Sequence, residues 1–189
     1  MNPEKWWSGV LALALITFIS GCGMSTPPNQ IQAQSGSVFI TGTDAPLPSV
    51  VSFQVDITGL SVSDGTNPPV SVLNGTQTVD FARLNGLRTL LDINTIPAGR
   101  YASVTATLAN PQIGYLNVNP PTRPSLSTLN GTTSPAATLT TSSLTIPLAT
   151  PLVVSTGNII GLIFEFDLRK SILVDGAGQI TGAVTPTLG

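Results

Sequence analysis

The sequence predicts an all-β fold, a single antiparallel β-sandwich, and three observations carry that prediction. Short segments of alternating apolar and polar residues recur along the chain, separated by Gly, Pro, Asn or Asp turn signals about every ten residues. Charged residues make up only 8% of the chain, against roughly 25% in ordinary soluble domains. Ser, Thr and Asn therefore cover the surface, and threonine fits a pleated, half-exposed face. Helical spacing of apolar residues occurs once, at Phe81, Leu84, Leu87 and Leu91, where Asn85-Gly86 interrupts it.

The elements follow in order. Val38 to Thr41 reads as a short strand and Thr43-Asp44-Ala45-Pro46 as a turn, with Asp44 placed to accept backbone hydrogen bonds. Val51 to Thr58 alternates, with Val51, Phe53, Val55 and Ile57 on one side. Asp64-Gly65 and Pro68-Pro69 mark a turn. Val70 to Leu73 and Thr76 to Phe81 flank Asn74-Gly75, a hairpin signal. Phe81 to Leu91 is expected as a helical turn or irregular crossover. Pro97-Ala98-Gly99 forms a tight turn, leading into a strand with Ala102, Val104, Ala106 and Leu108 on one face.

Residues 117 to 142 are rich in Pro, Ser, Thr and Gly, so a long loop or a pair of weak edge strands is expected. Leu144 to Leu148 and Leu152 to Val154 read as short strands, with Pro147 indicating an edge. Ile159 to Leu168 is the best core strand, presenting Ile160, Leu162, Phe164, Phe166 and Leu168 together. Ile172 to Val174 and Ile180 to Thr185 close the chain as a hairpin across Asp175-Gly176.

Ahead of this domain, a short polar start precedes an apolar run of 14 residues, Trp6 to Ile19. Spanning a bilayer takes roughly 20, so the run fits the core of a secretory signal. Ile19-Ser20-Gly21-Cys22 then resembles the lipobox of bacterial lipoproteins. That resemblance implies cleavage after Gly21 and acylation of Cys22, the only cysteine. Anchoring by more than one acyl chain is stable because each buried methylene contributes about 0.8 kcal/mol. The domain boundaries follow: 1–21 signal peptide, 22–36 flexible tether, 37–189 β-sandwich. The tether reaches roughly 20 Å. Gly23 stands where an aspartate often signals inner-membrane retention, which favours the outer membrane of a Gram-negative cell.

Composition excludes several function classes. Lys5 and Glu4 leave together with the signal, so the net charge stays −2, a poor match for nucleic acid. No second cysteine exists to form an intrachain disulfide. The chain has no histidine, which removes the commonest general base and zinc ligand.

Four motifs occur in order: Thr43-Asp44-Ala45-Pro46, Ile96-Pro97-Ala98-Gly99-Arg100-Tyr101, Phe164-Glu165-Phe166-Asp167-Leu168-Arg169-Lys170-Ser171, and Thr185-Pro186. Together they make the chain from about Gly36 to Gly189 resemble the envelope lipoproteins that carry domain of unknown function 4382. The resemblance implies an immunoglobulin-like or transthyretin-like sandwich on an exported protein, and no activity.

The residues offer little chemistry beyond this. Glu165 and Asp167 lie two apart on a strand, as paired carboxylates of glycosidases can, but Arg169 follows on the same expected face. An exposed, partly paired charge row is the plainer reading. Asp44, Asp56, Asp64 and Asp80 are oxygen donors of the type calcium takes, without a dense acidic loop. Asn74-Gly75-Thr76 and Asn130-Gly131-Thr132 match a glycosylation pattern but read as turns. Sugar stacking favours Trp and Tyr. Both tryptophans, Trp6 and Trp7, precede Cys22; Tyr101 is expected to pack beside its turn, leaving Tyr115 as the free ring. The expectation is a non-catalytic, lipid-anchored envelope module without metal or cofactor. It contacts a protein or polymer partner, with glycan binding or adhesion as the alternative and a glycoside-active enzyme as a distant third.

Overall fold

The computed structural model describes residues 33–117, 125–129 and 137–189. Gly21, Cys22, the expected signal peptide and most of the expected tether lie outside the described residues. The chain is all-β. Its strands are β1 (Ser35–Ala45), β2 (Val50–Ser63), β3 (Val70–Ser71), β4 (Gln77–Asp80), β5 (Thr89–Pro97), β6 (Gly99–Asn117), β7 (Ser125–Leu129), β8 (Thr138–Leu139), β9 (Ser143–Val154), β10 (Ile159–Asp167), β11 (Ile172–Val174) and β12 (Ile180–Val184). A 3₁₀ turn covers Phe81–Arg83 and a single helical turn, α1, covers Leu168–Ser171. Ser35 and Gly36, expected in the tether, already pair within β1.

These strands form three sheets, none closed into a barrel. The small sheet runs β10-β1-β5. In the large sheet β2 and β6 are central; β3 and β4 lie along β2, and β7 and β9 along β6. The third is β11-β12-β8.

The expected purely antiparallel arrangement is corrected. β1 and β10 pair in parallel over nine positions, from Ser37↔Ile159 to Ala45↔Asp167, and β12 pairs β8 in parallel. No short turn joins either pair, so nothing forces the strands to run oppositely. The Asn74-Gly75 hairpin is also corrected. Gly75 takes φ 76° as a turn glycine does, but β3 and β4 both pair antiparallel with β2, not with each other. They are two pieces of one broken edge strand. Thr43-Asp44-Ala45 is strand, not turn, because β10 pairs with it to its end; the chain turns after Pro46.

Alternation predicts most of the core, and bulges explain the exceptions. Phe53, Val55 and Ile57 are buried, but register shifts between Val50 and Ser52, so Val50 is buried and Val51 exposed. A shift between Tyr101 and Ser103 likewise buries Tyr101 and exposes Ala102. The two segments expected over residues 144–154 are one strand, β9, which pairs only with β6 among the described strands, as Pro147 indicates. β7 and β8 supply the weak strands expected in residues 117–142.

The small and large sheets pack on each other through Phe53 of β2 and Phe166 of β10, whose ring centroids are 4.9 Å apart. Phe81, in the 3₁₀ turn, completes the cluster at 5.1 Å from Phe166 and 6.0 Å from Phe164. The β10 face expected from the sequence is the buried one: Leu162, Phe164 and Phe166, followed by Leu168. The chain crosses between sheets at Pro97-Ala98-Gly99. There the Tyr101 hydroxyl donates to the Pro97 carbonyl at 2.8 Å. A tyrosine hydroxyl bonded to the backbone a few residues upstream is the geometry of a tyrosine corner.

Candidate functional site

Three of the four motifs converge where β1 and β10 end. Asp44 lies opposite Phe166 in the register, and its Oδ1 accepts a long 3.4 Å bond from the Leu168 N–H. Its Oδ2 is buried without a partner. Burial, augmented by the charge of Asp167, pushes this carboxyl up to about 6, although the Leu168 N–H favours its ionised form. Asp167 caps α1, accepting from the Lys170 N–H at 3.1 Å, and pairs with Lys170 Nζ at 2.7 Å. Those contacts hold its carboxyl below the usual range. Ser171 is fully buried, and its Oγ accepts from the Thr187 N–H at 2.9 Å while its carbonyl accepts from Thr185 N–H. The last residues thereby lie along β10, where Glu165 and Gly189 exchange both backbone bonds. The motif residues at this end therefore build structure.

The expected charge row Glu165-Asp167-Arg169 is corrected. The strand stops at Asp167 and α1 turns away, so Asp167 pairs with Lys170 instead. The remaining acids are satisfied from within the chain. Asp56 accepts from Thr78 and from Asn110, which adopts φ 51°. Asp64 accepts from Asn67 and Thr66, which lowers it to about 2. Asp80 accepts from Ser52 Oγ, the Phe53 N–H and Arg83 Nε. Among the described residues, no three His, Cys, Asp or Glu side chains group as a metal site would require. Asn74-Gly75 is a turn, and Asn130 lies outside the described residues. Tyr115 packs against the core, so it is not a free stacking ring.

Two outer faces remain, one mixed and one apolar; on the large sheet Val51, Leu116, Leu126 and Val153 are exposed beside polar residues. The large sheet turns Gln54, Asp56, Thr78 and Asp80 outward, with Gln54 directly opposite Gln112. Val51, Ser52, Gln54, Arg83, Gln112, Gly114 and Leu126 line a cleft of about 360 Å³ on this face. Asp80 fixes Arg83 at its rim through Nε, and the Arg83 side chain is 77% exposed.

The outer face of the small sheet is apolar. Phe39 lies opposite Ile93 on β5 and Gly161 on β10. A Cβ at Gly161 would meet the Phe39 ring at 2.5 Å, so the glycine lets the ring lie flat across β10. Around it Leu90, Ile93, Ile159 and Ile163 are exposed. Parallel strands normally have both faces covered; among the described residues only one face of this pair is. The free edge beside this face is closed: the Ile93 and Thr95 N–H groups donate to the preceding side chains, Asp92 and Asn94, at 2.7 and 2.8 Å. Sequence reasoning missed this surface, whose signal was present. Ile159-Ile160-Gly161-Leu162-Ile163-Phe164 is apolar at every position, not only at alternate ones.

A family model described as domain of unknown function (DUF4382) matches residues 35–181. No curated protein and no solved structure matches the chain.

Proposed function

The chain belongs to the DUF4382 family, and on that premise we propose that it is a lipid-anchored, non-catalytic module of the bacterial cell envelope that acts by surface contact. The domain is read as an immunoglobulin-like sandwich, a reading supported by the Tyr101 corner and the core shared by the small and large sheets. The observation that carries the reading is the apolar outer face of the small sheet, where five large side chains meet solvent without an intervening charge. Contiguous exposed apolar patches of a few hundred Å² are often functional contact sites. The lipobox-like Ile19-Ser20-Gly21-Cys22 supplies the anchor, 13 residues ahead of Ser35. Mass analysis of the native protein tests it: the chain should begin at an acylated Cys22 and crosslink through the small sheet in membranes. An intact residue 1–21 segment or a bare thiol at position 22 would refute the anchor.

One observation favours glycan binding as a second reading. The Arg83 cleft combines two opposed glutamine amides with an oriented guanidinium, donors suited to sugar hydroxyls and carboxylates. A glycan array should then report carboxylate-bearing saccharides, with the signal lost in Arg83→Ala. An empty array would remove this reading.

A further inference from the structure

We propose that the small-sheet face is a self-interface: it packs face to face on a second copy of this chain. The inference rests on the contact-module reading above and names the partner.

The argument begins with size and charge. Phe39, Leu90, Ile93, Ile159 and Ile163 are 37%, 58%, 58%, 73% and 44% exposed, which amounts to about 500 Å² of contiguous apolar surface per copy. Two such faces together bury at most about 1,000 Å², the threshold a weak specific interface must reach. The cross-strand rows from Ser37 to Thr41 contain no charged residue on this face: Thr95, Ser37 and Ile159; then Ile93, Phe39 and Gly161; then Leu90, Thr41 and Ile163. A charged partner would leave its own groups unpaired on such a surface, whereas an identical face leaves none.

Symmetry supplies the second argument. A closed dimer uses the same patch on both copies, and aligned sheets pack about 10 Å apart. A twofold axis parallel to β1 sets β1 over β1, and β5 of each copy over β10 of the other. Glu165 lies in the Thr43 row at the end of β10. Arg88 immediately precedes Thr89, which pairs with Gly42 at the same end of β5. The operation therefore brings each Arg88 to the end of the sheet where the second copy's Glu165 lies, a complementary pair at the rim of an apolar centre. The closed β5 edge directs association to the face, not to strand addition. Anchoring in a membrane raises the effective concentration of such a modest interface.

The test uses the full chain in native membranes, with benzoyl-phenylalanine replacing Ile93 and two differently tagged copies co-expressed. Irradiation should give an adduct carrying both tags, and Ile163→Glu should reduce it at least tenfold while the variant still unfolds in a single cooperative transition, because Ile163 lies on the outer face. A variant combining Arg88→Glu with Glu165→Arg should retain the adduct, whereas Arg88→Glu alone should weaken it. An adduct to a different protein would overturn the self-interface but keep the contact reading. An adduct to lipid alone, or none, would overturn both.

Discussion

Replacing Asp44 by asparagine should stabilise the protein at neutral pH, and the structure fixes the size and pH range of the effect. Asp44 is 7% exposed as a residue, with one carboxyl oxygen weakly held by the Leu168 N–H and the other unpartnered. Burial raises it from 3.8 to about 6. A carboxyl raised on folding binds its proton more tightly in the native state. The stabilisation it provides is thus complete below about pH 4 and is lost as pH rises through about 6. A shift of about two units corresponds to about 3 kcal/mol. Asparagine keeps the shape and an oxygen for the Leu168 N–H but carries no charge to bury. Urea unfolding of wild type and Asp44→Asn at pH 4, 5, 6 and 7 measures the difference, and comparing the two at each pH cancels the other titrations. The pair should agree within about 1 kcal/mol at pH 4, with the variant ahead by about 2–3 kcal/mol at pH 7. If the variant is no more stable than wild type at pH 7, with parallel pH profiles, the carboxylate is compensated and the reasoning fails.

Other substitutions probe the remaining parts. Phe164→Ala removes a ring packed against Phe81 and should cost about 3–5 kcal/mol in the same unfolding assay; a loss under about 1 kcal/mol would mean that the β10 faces are assigned wrongly. Ser171→Ala deprives the part-buried Thr187 N–H of its acceptor and should cost about 1 kcal/mol, with faster amide exchange at Thr187. Tyr101→Phe deletes only the corner hydrogen bond, so denaturation should show a loss of about 1 kcal/mol. Cys22→Ser should abolish lipid labelling; unchanged labelling would disprove the proposed anchor.

The convergence of the motifs was not visible along the chain. Asp44 looked like a turn acceptor because Asp-Ala-Pro is turn chemistry. It became a buried carboxyl because β10, more than a hundred residues later, pairs with it and carries Leu168 over it. Asp167 looked like one member of a charged row, until α1 made it a helix cap for Lys170. Both outcomes depend on where a distant strand ends, which no local pattern encodes. The apolar outer face differs: its residues were legible as an unbroken hydrophobic run in β10, but only the arrangement of the sheets determined that no described strand covers that side.

The sequence by itself determined the β class, the inward row Leu162, Phe164 and Phe166, the edge position of the Pro147 strand and the Pro97-Ala98-Gly99 turn. These rest on alternation, ring geometry and turn chemistry that act over a few residues. Tertiary structure alone decided that β1 and β10 run parallel, that β3 and β4 share one edge of β2, and which of Val50 or Val51 is buried. Strand partners are chosen by the packing of whole faces, and a single bulge reverses the side on which every later residue lies.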